Sequence, residues 1–390
     1  MNDTVAAPGR LRVAVLNRVF SAAGGGAESY SIRLVEQLAA RHEMHVFAQR
    51  IEHQWPGVTY HRVPCPMARP RWINQLWYAG WTWWATRRGF DVVHSHENTW
   101  HGNVQTIHVK PVRGNLLVGL RGTALAAGWL KIASSPRLLA NLALEGARFK
   151  TRAGRQIVLA SETLRMQAQA AYPRATPMMS VVTPGVNLPG AGASREQARS
   201  GLGLPLAGVL LLFVANDYAR KGLDALLAAL VRLPAPVGLA VVGHAAQIPV
   251  YAERARALGL AGRVHFLGAL QDVAPAYRAA TVLAHPTLDD TFAMVVLEAM
   301  AHGLPVVVSG AAHCGISALL EDGVEALLVP DPRNERQLAA AISRVLGYPE
   351  LAQGLAEAGL QFAASHTWAQ AARRYEELYF ESCRAATPPA

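Results

Sequence analysis

The feature that most constrains this chain is a rhythm that occurs twice, in which short apolar runs alternate with helix-length segments. In the first half "RVAVLN" (12–17), "EMHVFA" (43–48), "FDVVHS" (90–95), "NVQTIHV" (103–109) and "RQIVLAS" (155–161) have the length and composition of buried parallel strands. Helix-length segments such as "AESYSIRLVEQLAARH" lie between several of them. The second half repeats the pattern with "GVLLLFVAN", "PVGLAVVGH", "RVHFLG", "TVLAHP", "LPVVVSG" and "EALLVP". Such alternation predicts two doubly wound α/β domains, and 390 residues are too many for one ordinary core. The Pro/Gly/Ala-rich "TPGVNLPGAGASREQ" (183–197) has the composition of a linker. The expected domains are therefore 1–186 and 187–365.

Composition excludes several classes. With 51% hydrophobic and 16% charged residues the chain should fold rather than stay disordered. Three dispersed cysteines form no CxxC pair, which argues against a disulfide framework or a thiolate metal site and fits a reducing cytosol. No signal-peptide pattern opens the chain, and no run of about 18 uncharged apolar residues occurs, so a cytoplasmic, soluble or peripheral protein is expected.

The net charge of +10 is concentrated. Nine cations between Lys110 and Arg155 face one acid, Glu145, amid apolar runs such as "NLLVGL" and "ALAAGWL". This suits a surface lying on an anionic membrane, against the plainer reading of a solvated helical face with core leucines. The cations lack a nucleic-acid-binding motif, so no nucleic-acid partner is expected. Five tryptophans fall within residues 72–84, a pattern of core, of a sugar-stacking wall or of an interfacial anchor.

Ligands of open α/β sheets collect just beyond the strand ends, and three such places stand out. Gly24, Gly25 and Gly26 after the first strand allow close backbone approach at a helix start, where free N–H groups favour phosphate; a tight turn is the alternative. Arg220 and Lys221 precede Gly222 at the start of another helix and suit a diphosphate, with Arg forking onto its oxygens and Lys acting as a point charge. In "HPTLDDTFAMVVLEAMAHGLP" (285–305), Asp290 stands where a helix begins and Glu298 two turns later. Asp290 either caps that helix or joins Glu298 in holding sugar hydroxyls. Two acids for two sugars and cations for a diphosphate describe a nucleotide sugar.

These residues resemble those of the retaining glycosyltransferases of the GT-B fold, in which two glutamates with seven residues between them mark the donor site. The resemblance runs through "GGGAES", "DVVHSHE", "TIH", "TPGVN", "ARKGLDALLAAL" and "LEAMAHGLPVVVS", and the wording of "ANDYARKGLD", "ALEGARFKTRAGRQIVLASE" and "AAHCG" is similar to glucosyltransferases of the bacterial lipopolysaccharide core. One departure is Asp290, a methylene shorter than the expected glutamate.

The resemblance implies two Rossmann-like domains facing a cleft, with a terminal helix (366–385) returning to the first domain. It assigns Glu298 to the ribose, Asp290 to the transferred sugar and Arg220 with Lys221 to the pyrophosphate. Gly25 and Gly26 allow the first domain to close, and the backbone amides of Phe292, Ala293, Met294 and Val295 face phosphate or sugar. His108 becomes the acceptor-side histidine, with a core histidine as the alternative. The implied reaction is retaining transfer of a hexose, UDP-glucose-like, to a glycolipid or oligosaccharide acceptor, with no metal, no cofactor and no protein nucleophile. A nucleotide-sugar epimerase and an inactive peripheral scaffold are the competing readings.

Overall fold

The computed structural model describes residues 9–21, 26–67 and 69–386. They form two compact units, one running to Thr183 and resuming at Ala371, the other covering Pro184–Gln370.

Unit 1 contains β1 (Arg12–Leu16), a short β2 (Val19–Phe20), β3 (Glu43–Ala48), a short β4 (Arg50–Ile51), β5 (Val58–Arg62), β6 (Val92–Ser95), β7 (Val104–Ile107), β8 (Gln156–Leu159) and β9 (Met179–Val181). Seven of these make a parallel sheet in the order β5-β3-β1-β6-β7-β8-β9, and β2 pairs with β4. The central strands are buried on both faces, which is why they read as continuous apolar runs. Edge strands β5 and β9 are only half-buried, so "VTYHR" and "MSV" carry no apolar run and escape a reading based on such runs.

Two features of unit 1 differ from expectation. In the tryptophan-rich helix Arg71–Thr86 the buried residues are Asn74, Gln75, Tyr78, Ala79, Thr82 and Thr86, while Trp77, Trp83 and Trp84 are exposed. Burial of the polar side is possible because its groups are satisfied: Tyr78 Oη donates to Phe47 O at 2.8 Å, and Thr82 and Thr86 donate to carbonyls four residues back at 2.7 Å. In the basic segment, Arg148 and Arg155 are buried and serve the fold. Arg148 Nε donates to Gln105 Oε1 at 2.8 Å, and Arg155 donates to the carbonyls of Ala147 and Trp100 at 2.8 and 2.9 Å.

The helix Trp368–Ala386 begins in unit 2 and belongs to unit 1 from Ala371. Its Tyr375 and Tyr379 are fully buried in unit 1, and Glu376 pairs with Arg41 at 2.6 Å and His42 at 3.0 Å.

Unit 2 contains β10 (Val209–Ala215), β11 (Val237–Gly243), β12 (Val264–Gly268), β13 (Val282–His285), β14 (Val306–Ser309) and β15 (Leu327–Val329). All pairings are parallel, in the order β12-β11-β10-β13-β14-β15. The order reverses direction at β10 and β13, the switch point beyond whose carboxyl ends such sheets bind ligands. Within the presumed linker, residues 184–186 pack tightly in unit 2: Val186 N donates to His366 O at 2.9 Å, and a Cβ on Gly185 would lie 2.2 Å from Trp368 N.

Candidate functional site

The loop after β10 is brought against the loop after β13 by Gly222. Its φ is +82°, and a Cβ there would stand 2.0 Å from Pro286 O, so only glycine allows this approach. The contact is secured by Leu288 N donating to Arg220 O at 2.9 Å. Arg220 and Lys221 consequently reach the ends of both central strands.

The two cations have different situations. Lys221 Nζ forms an ion pair with Asp290 Oδ2 and donates to Asp289 O at 3.1 Å, with the pair largely shielded from solvent. Arg220 is more than half exposed and lies 3.7 Å from Asp217, a weak surface pair.

Asp290 does two structural things at once. Its Oδ1 accepts from the amides of Phe292 and Ala293 at 3.3 and 3.0 Å, while Oδ2 faces Lys221 and lies 3.5 Å from His285 Nε2. Burial pushes its carboxyl up, but His285 and Lys221 together outweigh that and hold it well below the usual carboxylate range. Asp290 therefore stays ionised. Burial holds the imidazole of His285 below its ordinary value, with Asp290 opposing the shift. Beside this turn, Cys314 is buried and its thiol is pushed up to about 12, first by burial and then by Asp290, so it is not a thiolate.

Ala293 adopts a left-handed conformation, φ 71° and ψ 71°, immediately before the helix Met294–Ala301. A non-glycine residue in this region costs about 1 kcal/mol or more. It is held by Asp290 on its amide and by the amide of Ile316 donating to Phe292 O at 2.9 Å. Of the four amides expected to face a ligand, those of Phe292 and Ala293 are thus taken by Asp290. Those of Met294 and Val295 open the helix, where no preceding turn supplies a carbonyl.

Glu298 lies on this helix and accepts at Oε2 from Tyr277 Oη at 2.7 Å. Tyr277 is buried and stacks on His302, with ring centres 5.0 Å apart. Glu298 is thereby oriented by a rigid neighbour.

In unit 1, His94, His96 and His108 cluster at the ends of β6 and β7. His94 Nδ1 meets Tyr379 Oη and its Nε2 meets Thr106 Oγ1, both at 2.7 Å. Thr106 Oγ1 and Tyr30 Oη flank Tyr375 Oη at 2.8 and 2.9 Å. His96 Nδ1 and His108 Nε2 are 3.0 Å apart, with their rings stacked, and Tyr30 lies edge-on to His108. Burial, with Arg148 adding to it, pushes His108 down to about 3, and burial with His108 and Arg148 does the same to His94. All three rings are neutral at ordinary pH.

Residues 24–188 match the family model described as Glycosyltransferase Family 4, and residues 208–347 match Glycosyl transferases group 1. The chain belongs to the GT-B glycosyltransferases. Within this family it is similar to a D-inositol 3-phosphate glycosyltransferase of Corynebacterium diphtheriae, 32% identical over 52% of this chain and 50% of that protein. It is also similar to the lipopolysaccharide glucosyltransferase WaaG of Escherichia coli K12, 32% identical over 44% of this chain and 46% of that protein. The chain thus spans about half the length of the curated relatives it matches. The crystal structure of WaaG, a glycosyltransferase involved in lipopolysaccharide biosynthesis, has the same fold: TM-score 0.80, 23% identity, covering 94% of this chain and 99% of that one.

In this GT-B chain Arg220, Lys221, Asp290, Phe292, Ala293, Met294, Val295 and Glu298 all fall in unit 2, around the ends of β10 and β13. His108 lies in unit 1, as does Gly26, the first residue of the helix Gly26–Leu38. Gly25 lies outside the described residues.

Sequence reasoning missed His285, Tyr277 and Arg148. His285 was signalled, since it ends a strand five residues before Asp290. Tyr277 and Arg148 sit in unremarkable helical sequence, and only packing gives them partners.

Proposed function

We propose that the chain is a retaining glycosyltransferase that moves a hexose, glucose from UDP-glucose first among candidates, to a saccharide acceptor on a membrane glycolipid such as the lipopolysaccharide core. The observation that carries this reading is the convergence of Arg220, Lys221, Asp290, Glu298 and a helix start on one switch point.

Breaking the anomeric C–O bond places negative charge on the departing diphosphate. Arg220, exposed and weakly paired, is the cation free to swing onto it, and the amides of Met294 and Val295 present the helix dipole to the same charge. Lys221 contributes chiefly by fixing Asp290. Glu298, aimed by Tyr277, accepts from ribose hydroxyls, and Asp290 keeps lone pairs for a hexose hydroxyl. Asp290 is a poor nucleophile, because both its oxygens already accept strong partners, consistent with same-face attack by the acceptor itself. His108 enters as a neutral imidazole on the acceptor side. The cationic side chains and amides take the role that a metal would otherwise fill, and no cofactor is required.

The membrane reading is supported by the helix Gly122–Ala133. Ile132 is its one buried residue, while Trp129 and Leu130 are 53% and 72% exposed, with Arg121 and Lys131 alongside. Such a helix suits an anionic surface, with the protein peripheral on the cytoplasmic side of the inner membrane. Among the described residues no helix is long and apolar enough to cross a membrane.

The test is binding and turnover of UDP-glucose beside other UDP-, GDP- and ADP-sugars, with and without lipopolysaccharide core acceptor, for the natural protein, Glu298→Gln and Arg220→Ala. Transfer with retained anomeric configuration is expected, reduced at least about 100-fold in either variant, as for loss of a charged contact to the transition state. If no nucleotide sugar binds, or both variants keep full turnover, the donor-clamp reading fails.

A further inference from the structure

Four arginines of unit 1 line one cavity that the donor site leaves unused. Arg18, Arg69, Arg71 and Arg137 surround a space of about 790 Å³, within the usual size of small-ligand pockets. It lies beyond the carboxyl ends of adjacent strands β1 and β6, since Arg18 comes two residues after β1 and its partner Glu97 two residues after β6.

The cavity is braced. Arg18 is gripped by Glu97 through both backbone and side chain, its amide donating to Oε1 at 3.1 Å and its Nε to Oε2 at 2.9 Å. Gln75, buried in the helix Arg71–Thr86, donates from Nε2 to Asn98 O at 2.9 Å, and Asn98 Nδ2 donates to Asn141 O at 3.2 Å. Those bonds tie the loop after β6 to two helices, one carrying Arg71, Trp72 and Gln75, the other Arg137 and Asn141 four residues apart on one face.

The charges are not balanced from within. The lining contains no Asp or Glu, and among the described residues the side chains of Arg69, Arg71 and Arg137 form no ion pair or hydrogen bond. Arg69, Arg71 and Arg137 are exposed and line this space with no acid among the lining, so an anion entering it meets three guanidiniums without a competing carboxylate. Arginine forks match the oxygens of a phosphate or carboxylate, and the half-buried indole of Trp72 offers an apolar face to a sugar ring beside them.

We infer that this cavity binds an anionic group, phosphate or carboxylate, carried on a saccharide, and that the acceptor is therefore an acidic sugar. The inference rests on the transferase reading for the word acceptor, while the anion site stands on the cavity itself. Glu97, which positions Arg18, follows His96, and His96 meets His108, so the anion site adjoins the histidine proposed for the acceptor side.

The test is calorimetric titration of the full chain with glucose 6-phosphate, glucuronate and glucose, each with and without vesicles of phosphatidylcholine and phosphatidylglycerol. Variants are Arg71→Gln with Arg137→Gln, and Arg71→Lys with Arg137→Lys. Both acidic sugars are expected to bind at least about tenfold more tightly than glucose, a preference that weakens with salt. The glutamine pair is expected to lose that preference and the lysine pair to keep part of it. Should the glutamine pair fail to fold, Arg137→Gln alone, at an exposed position, is expected to lower the preference.

Equal binding of all three sugars overturns the inference, as does a preference that survives the glutamine pair. Loss of vesicle binding in the glutamine pair, with no preference among sugars, identifies the anion as a lipid head group and also overturns it. UDP-glucose is titrated in parallel. If it binds while the sugars are not distinguished, the transferase reading stands and this one falls; if it fails to bind while glucose 6-phosphate is preferred, the anion site stands alone.

Discussion

In both units histidines stand at or just beyond the ends of central strands, yet the two places are electrostatic opposites. In unit 1, His94 and the following His96 and His108 meet tyrosine, threonine and one another, and burial strips them of charge. In unit 2, His285 ends β13 beside an ion pair: Asp290 and Lys221 arrive on adjoining loops and meet at a shielded place. The difference comes from the loops. Unit 1 sends neutral hydroxyls from the helix Trp368–Ala386 to its histidines, whereas unit 2 sends a carboxylate, a lysine and a helix start.

This contrast can be broken most strongly at Lys221. Lys221→Met removes one partner of a shielded pair and leaves Asp290 without its cation, which should cost about 3 kcal/mol. The loss is expected in unit 2 only, read by hydrogen exchange resolved along the chain. Equal loss in both units would show that the pair does not act locally.

Acid should act the other way. The unfolded chain protonates histidine near pH 6.5, whereas folded His94 and His108 resist until about pH 3, so the unfolded state binds more protons in between. Stability from these two rings is complete above about pH 6.5 and falls as pH drops, by about 2 kcal/mol for each buried histidine at pH 5. His285 shifts in the same direction, but Asp290 opposes it. The contribution of Asp290, whose folded pKa is depressed, persists until pH falls below its unfolded value of about 4. Unit 1 is thus expected to weaken more than unit 2 between pH 7 and 5. Exchange rates that rise equally in both units would contradict this.

The smallest expected effect sharpens the donor side. Tyr277→Phe deletes the 2.7 Å hydrogen bond to Glu298 and should cost about 1 kcal/mol of stability in unit 2, seen as a lowered unfolding midpoint. Unchanged stability together with unchanged UDP-glucose affinity would show that Glu298 needs no positioning.

Much of the fold was legible because parallel strands buried on both faces must be apolar, and β1, β3, β6, β7, β8, β10, β11, β13 and β14 announce themselves in that way; the edge strands β12 and β15 were read from short apolar runs of their own. The edge strands β5 and β9 did not, because half-buried strands need no such run. Among the candidate residues, Arg220, Lys221 and Asp290 were singled out by their places after strands, and Glu298 by its spacing from Asp290 on the following helix. The pairing of Lys221 with Asp290 was not, because 69 residues separate them and only the approach of Gly222 to Pro286 closes that distance. The amides of Phe292 and Ala293 are taken by a local contact instead: Asp290 accepts from both, the capping alternative that its place before the helix had offered.

By itself, the sequence determined that two α/β units form, which segments become the apolar strands, and which polar residues stand at strand ends, because these follow from local composition and periodicity. Only tertiary structure decided which charges are neutralised and which remain available. Arg148 and Arg155 became buried braces, Lys221 became a partner of Asp290, and Arg69, Arg71 and Arg137 were left facing one cavity. The physical reason is that Coulomb and desolvation energies depend on distances through space, which chain spacing does not set.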